Sequence, residues 1–208
     1  MTPRSGLLIA FEGIDGTGKS SQLPLLACWL REQGCQVVET REPTDGPYGQ
    51  QIRQLFQNRE QVSRDQELEL FIQDRRQHVD GCILPALHQG QVVLTDRYYF
   101  STAAYQGAAG CDPAGIFARN QFAPEPDMVL LLTMPPAASR YRIQGLRGEA
   151  LNDFEQQDQL EKVAALFASF QQDCIVRIAA DRPLAEVQAA IREVTSKLLA
   201  EKEFRCST

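Results

Sequence analysis

Residues Gly13 to Ser20 read Gly-Ile-Asp-Gly-Thr-Gly-Lys-Ser, a complete phosphate-binding loop of the form GxxxxGK[ST]. Its glycines let the backbone curl so that successive N–H groups point at phosphate oxygens. Lys19 can reach the β- and γ-phosphates of a bound nucleotide, and the Ser20 hydroxyl can ligate Mg²⁺. Two other charged groups follow apolar runs: Arg41-Glu42-Pro43 and Asp96-Arg97-Tyr98. A guanidinium fork grips phosphate bidentately, so two arginines suit a second phosphate. Asp96 stands where a carboxylate holds Mg²⁺ directly or through water, with a structural strand-end ion pair as the alternative.

These groups need elements to carry them. Leu7–Phe11 reads as a strand entering the loop and Lys19–Gln33 as a helix leaving it, the context the motif requires. The helix N-terminus adds its partial positive charge. The chain therefore binds a nucleoside triphosphate. Further strands are predicted at Val37–Thr40, Val92–Thr95, Met128–Thr133 and Ile175–Ala179, nearly continuous in apolar residues as parallel strands buried on both faces are. Helices are predicted at Tyr48–Phe56, Asp65–His88, Pro113–Phe122, Pro136–Ile143, Asp158–Gln172 and Leu184–Lys202. Such alternation implies an α/β fold with a parallel sheet. Open parallel sheets bind ligands outside the carboxyl ends of their strands, which brings Arg41, Asp96 and Arg97 to the edge that holds the phosphate loop. Gly34 fits a helix C-terminus, and Pro85 should kink or end the third helix. The polar stretch Gln144–Asp153 is either a mobile flap or a plain connecting loop.

Length and composition suit a single domain of 208 residues, with 43% hydrophobic and 23% charged residues. A net charge of −6 gives no global field favouring nucleic acid or an anionic membrane, so any anion site is local. Six scattered cysteines, without a CxxC pair or a neighbouring His cluster, read as apolar fillers or free thiols of a reducing cytosol and not as a disulfide framework. No apolar run approaches a membrane span and no signal-peptide core is visible, so a cytoplasmic location is expected.

In the third predicted helix, Phe71, Asp74, Arg75 and His78 share one face. Phe71 and Arg75 there could stack on a flat base and donate to its carbonyl. By themselves they read sooner as a core aromatic and a surface cation, and His78 and His88 read as structural or surface residues. No Asn-Lys-x-Asp motif of a GTPase switch is present.

Taken in order, GIDGTGKSSQ, TREP, FIQDRRQH, LTDRYYFSTAAYQG and PDMVLLLTMPP resemble thymidylate kinase from Leu7 to about Ala138, with a looser match beyond. The resemblance implies a three-layer P-loop NTPase fold, a five-stranded parallel sheet flanked by helices with a small mobile lid at about 142–155. It implies transfer of the γ-phosphoryl of ATP to dTMP with Mg²⁺, no nucleic acid or membrane partner, and a homodimer. It also implies roles. Gly13, Ile14, Asp15, Gly16, Thr17, Gly18, Lys19 and Ser20 hold the donor phosphates, and Asp15 meets the acceptor sugar. Arg41 and Arg97 clamp the acceptor phosphate, Ser20 and Asp96 hold Mg²⁺, and Glu42 helps from the outer shell. Phe71 stacks on thymine, Arg75 donates to its O4, Thr102 or Gln106 meets the remaining edge, and Tyr105 crowds a ribose 2′-hydroxyl. Position 16 is Gly where some members carry a catalytic arginine, which makes Arg142 and Arg147 of the lid the candidates, with Arg140 and Arg119 behind them. The chain departs from the family at Thr44-Asp45, at Thr133 and in the lid; Asp45 can alter acceptor-phosphate affinity. A kinase for another monophosphate such as dUMP, or a catalytically weak nucleotide-binding module, is the alternative.

Overall fold

Five strands form one parallel sheet: β1 (Leu7–Glu12), β2 (Val37–Arg41), β3 (Val92–Asp96), β4 (Met128–Thr133) and β5 (Ile175–Ala179), in the order β2-β3-β1-β4-β5. The computed structural model describes residues 5–56, 62–147, 157–204 and 206, side chains of 144–147 and 157 excepted. Strands β1, β2 and β3 each run one residue past the apolar segment that predicts them. The added residues are Glu12, Arg41 and Asp96. Ladder hydrogen bonding carries the backbone beyond the point where hydrophobicity stops marking it. Each extra residue is charged, and the register sets Asp96 opposite both Phe11 and Arg41.

Side chains alternate across the sheet, so each strand feeds two cores. Leu7, Ile9 and Phe11 pack with Leu26 and Leu30 of α1 (Lys19–Glu32) and with Val187 and Ile191 of α9 (Leu184–Glu201). Leu8 and Ala10 face the other way, toward α3 (Arg64–His78), α5 (Tyr99–Ala108) and α8 (Gln157–Ser169), through Ile72, Ala103 and Val163. Burial on both faces is why the strands read as unbroken apolar runs. Between these elements lie α2 (Pro47–Leu55), α4 (Leu84–His88), α6 (Pro113–Arg119) and α7 (Pro136–Arg147). Among the described residues no helix is long and apolar enough to cross a membrane.

Four expectations are corrected. The helix expected over Asp65–His88 is three pieces: α3, a π-turn at Val79–Ile83, and α4. Pro85 lacks an N–H, and the widened turn before it places it in the first turn of α4, where that N–H is not needed. Helix α5 was not foreseen, because a helix buried on nearly every side carries no amphipathic stripe. Helix α7 continues to Arg147, so the first residues of the expected lid are helical; 148–155 lie outside the described residues. Cys35 and Cys206 form a disulfide, Cα atoms 4.2 Å apart, where only fillers and free thiols were expected. A pairing across 171 residues leaves no local spacing signal.

Candidate active site

The phosphate loop leaves β1 at Gly13, whose φ of 131° only glycine adopts readily; a Cβ there would also run into the Leu132 carbonyl. Thr17 Oγ1 donates to the Ile14 carbonyl at 2.9 Å. Lys19 Nζ folds back on the loop, donating to the carbonyls of Gly13 and Ile14 at 2.9 Å each. It is only 6% exposed, and burial, with the Arg97 cation nearby, lowers its pKa to about 8. A carbonyl-lined pocket around a buried ammonium is a site ready to exchange those carbonyls for phosphate oxygens. At Gly16 a Cβ would meet the Ser139 carbonyl at 2.8 Å and Ile143 Cγ1 at 3.1 Å. Helix α7 therefore packs directly on the loop at Gly16.

Two cations converge on this loop from neighbouring strand ends. Arg97 follows β3 and donates through Nη2 to Asp15 Oδ1 at 2.6 Å and through Nη1 to Ser101 Oγ at 2.9 Å. Tyr105 OH donates to the other Asp15 oxygen at 3.2 Å, and the Arg97 guanidinium lies 5.0 Å from the Tyr105 ring centroid. Arg41 ends β2 opposite Asp96 and is 63% exposed; it donates to Asp45 Oδ1 at 2.8 Å, and Arg53 reaches the same oxygen at 3.2 Å. Between them Ser20 Oγ donates to Asp96 Oδ2 at 2.7 Å, while Asp96 Oδ1 is buried without a hydrogen-bond partner. A cavity of about 430 Å³ opens here, lined by Ser20, Arg41, Thr44, Asp45, His78 and Asp96.

Behind the phosphate edge lies a second constellation. A capping box at Ser63 and Gln66 starts α3, which carries Phe71, half-buried, and Arg75, only 1% exposed. Arg75 donates from Nε at 2.9 Å and from Nη2 to Glu42 Oε2, from Nη1 to Asn120 Oδ1 at 2.7 Å and from Nη2 to Thr102 Oγ1 at 2.9 Å. His78 Nδ1 contacts Glu42 Oε1 at 3.0 Å and Nε2 contacts Thr40 Oγ1 at 2.7 Å. Burial alone would lower His78, but hydrogen bonds to Cys82 and Glu42 outweigh it and raise the pKa to about 9. The imidazole is therefore an imidazolium at neutral pH and donates from both nitrogens. Burial pushes Glu42 up, yet Arg75 and His78 together hold it below the usual carboxylate range. Gln106, 1% exposed on α5, keeps its Oε1 without a partner.

Set against the sequence, Asp15, Lys19, Ser20, Asp96, Arg97 and Tyr105 come together at one edge, with Arg41 beside them. Behind it Arg75 of α3 bonds Thr102 of α5, with Phe71 one turn before Arg75 and Gln106 one turn after Thr102. Both oxygens of Glu42, expected in the outer shell of the metal, are hydrogen-bonded to Arg75 and His78. Arg119 pairs with Glu69 between α6 and α3. Arg142 lies on α7, and the side chain of Arg147 falls outside the described residues. Sequence reasoning missed Glu12, Ser101 and Asn120 and left His78 without a role. The one available signal was Glu12, a charge ending an otherwise apolar strand beside the loop.

A phosphate loop facing cations from two further strand ends, at the carboxyl edge of a parallel sheet, defines a P-loop phosphotransferase acting between two phosphorylated ligands. Comparison with known proteins narrows the class. The model of the family described as thymidylate kinase matches residues 11–191. The thymidylate kinase of Desulfotalea psychrophila is 50% identical over 199 residues, 96% of this chain and 98% of that protein. Those of Xanthomonas campestris pv. campestris and Xanthomonas oryzae pv. oryzae are 48% and 47% identical, over 82% and 80% of this chain and 74% and 72% of theirs. The chain belongs to the thymidylate kinase family.

Proposed function

We infer that the crevice at the carboxyl edge carries out the family's reaction with the division of labour set out below. The protein is a phosphotransferase that moves the γ-phosphoryl of ATP to dTMP, giving dTDP and ADP. A phosphate oxygen of dTMP attacks the γ-phosphorus as the bond to the β–γ bridging oxygen breaks, and ADP leaves with that electron pair. The attacking group is already an oxyanion, so no general base is required. What the reaction needs is alignment and relief of repulsion between two anions.

The loop amides from Asp15 to Ser20 hold the donor phosphates. Lys19 turns from the Gly13 and Ile14 carbonyls to the transferred phosphoryl. Arg97 and Arg41 neutralise the acceptor phosphate. Asp15, held between Arg97 and Tyr105, meets the acceptor 3′-hydroxyl, and the Tyr105 ring leaves no room for a 2′-hydroxyl. Phe71 stacks on thymine. Arg75 has one Nη1 N–H left for O4, and the unpartnered Gln106 Oε1, more than the engaged Thr102, suits the N3–H. Ser20 and Asp96 fit a magnesium ion: a hydroxyl and a half-buried carboxylate with one oxygen lacking a hydrogen-bond partner, the sparse protein donor set Mg²⁺ takes when phosphates and waters complete its shell. When bound, the ion supplies charge neutralisation on the β- and γ-oxygens. Arg142 or Arg147 closes over the transferred group from the lid. Family resemblance supports a homodimer working in the cytoplasm.

The observation that carries this reading is the convergence of Lys19, Asp15 and Arg97 at the edge where Ser20 meets Asp96. A coupled ADP-release assay across all nucleoside and deoxynucleoside monophosphates tests it. dTMP should be the best acceptor and thymidine should release no ADP. Equal turnover with a ribonucleoside monophosphate would contradict the roles of Tyr105 and Asp15.

A further inference from the structure

Glu12 plays no part in the mechanism above, yet it is the last residue of β1, immediately before the phosphate loop, and is 0% exposed. A carboxylate so placed needs strong compensation. Its Oε1 accepts from the backbone N–H groups of Tyr98, at 2.8 Å, and Ser101, at 3.1 Å; its Oε2 accepts from the Ser101 hydroxyl. Those amides are the N-terminus of α5. Tyr98, the residue at the cap position, makes no side-chain cap of its own. The cap is supplied instead by a residue 86 positions earlier, on the strand that carries the donor loop.

What lies on the far side of these bonds is Arg97. Its φ of 74° is in the left-handed region, uncommon for a residue with a Cβ and maintained only where neighbours enforce it. Three hydrogen bonds enforce it here. The Arg97 N–H donates to the Phe11 carbonyl at 2.9 Å, Thr95 Oγ1 donates to the Arg97 carbonyl at 2.8 Å, and the next amide, Tyr98 N–H, is taken by Glu12. The guanidinium is fixed as well. Burial raises the Glu12 carboxyl to about 7, against the pull of the Ser101 hydrogen bond and the Arg97 cation. In its ionised form the carboxylate only accepts, so the Ser101 proton points at Glu12, and the lone pairs of Ser101 are left for Arg97 Nη1 at 2.9 Å.

We propose that Glu12 is a positioning residue for the acceptor-phosphate clamp: through the Ser101 hydroxyl and the Tyr98 amide it holds Arg97 in register with the donor loop that Glu12 itself precedes. One carboxylate thus ties the donor-phosphate site to the acceptor-phosphate site. The proposal rests on the reading of Arg97 as the clamp. A bland helix cap would lower stability when removed and leave acceptor binding alone.

The experiment compares steady-state kinetics of Glu12→Gln, Ser101→Ala and Arg97→Ala, and of the doubles Glu12→Gln/Arg97→Ala and Ser101→Ala/Arg97→Ala, with ATP and dTMP varied separately. Ser101→Ala keeps the two backbone bonds of Glu12 and cuts only the relay. It should raise the dTMP KM about 10-fold, the effect of losing one hydrogen bond to a charged group, with the ATP KM changed less than about 2-fold. Glu12→Gln should act in the same direction, and neither change should add to Arg97→Ala in the doubles. An unchanged dTMP KM in Ser101→Ala, or full additivity in its double, overturns the proposal; Ser101→Ala suffices alone if Glu12→Gln does not fold. Should Arg97→Ala itself leave the dTMP KM unchanged, it is the clamp reading that fails, a distinct result.

Discussion

Arg75 and Arg97 are two arginines on one crevice, held in opposite ways. Arg75 is 1% exposed, and its partners Glu42, Asn120 and Thr102 are permanent parts of the protein. Arg97, like the exposed Arg41, is paired with a carboxylate that a phosphate can displace or share. On the proposed reading, base recognition is built into the buried network, whereas phosphate recognition is made of cations that already hold acidic partners. The Arg75–Glu42 pair is 1% and 4% exposed, Arg97–Asp15 19% and 26%, and Arg41–Asp45 63% and 75%. Buried ion pairs fix geometry at the cost of desolvation, and pairs become more exchangeable as exposure rises. A phosphoryl-transfer site needs both: a fixed place for the base and cations whose present partner can give way to, or be shared with, a phosphate.

Substitutions should separate the two regions. The largest effect belongs to Arg97→Ala. Its kcat/KM for dTMP should fall about 10³- to 10⁴-fold, roughly 4–5.5 kcal/mol of transition-state stabilisation, with the unfolding midpoint little moved. A matching loss of stability would merge the two regions. Arg75→Ala should do the reverse in kind, lowering unfolding free energy by about 3–4 kcal/mol in urea titrations because Glu42 is left buried with only His78.

The His78–Glu42 pair predicts a pH dependence. His78 is held at about 9 against an ordinary 6.5, so its stabilisation is complete below pH 6.5 and is lost as pH rises through 9. A His78→Gln variant should abolish that part of the slope between pH 6.5 and 9, about 2–3 kcal/mol by urea titration. An identical slope in the variant would show that His78 does not titrate with folding. The smallest change is at the exposed edge. Asp45→Asn frees Arg41 from a pair that is 63% and 75% exposed, so the dTMP KM should drop only about 2- to 3-fold, with stability within about 0.5 kcal/mol. A rise in KM would mean that Asp45 helps acceptor binding.

Much of this was legible before any coordinates. All five strands and the phosphate loop follow from apolar runs and a motif whose glycines have geometric work to do. Arg41, Asp96 and Arg97 could be placed at one edge because parallel topology sends every strand's carboxyl end the same way. The rest depends on non-local packing. Helix α5 has no stripe because nearly all its faces are covered, and the π-turn before Pro85 answers a missing N–H that sequence marks only as a break. The resemblance gave Glu42 an outer-shell place, but nothing in the sequence marked its hydrogen bonds to α3 residues 33 and 36 positions away. Glu12 bonds to α5 and Cys35 to Cys206 across separations at which no periodicity survives.

Calorimetric binding of dTMP and of thymidine, which lacks the phosphate, to the wild type and to Arg97→Ala asks directly whether base and phosphate are recognised by separable parts. The phosphate's share of affinity should collapse in the variant while thymidine binds as before. If the ratio of the two affinities is unchanged by the substitution, or thymidine binding falls with dTMP binding, the division between a fixed base pocket and an exchangeable phosphate edge is contradicted.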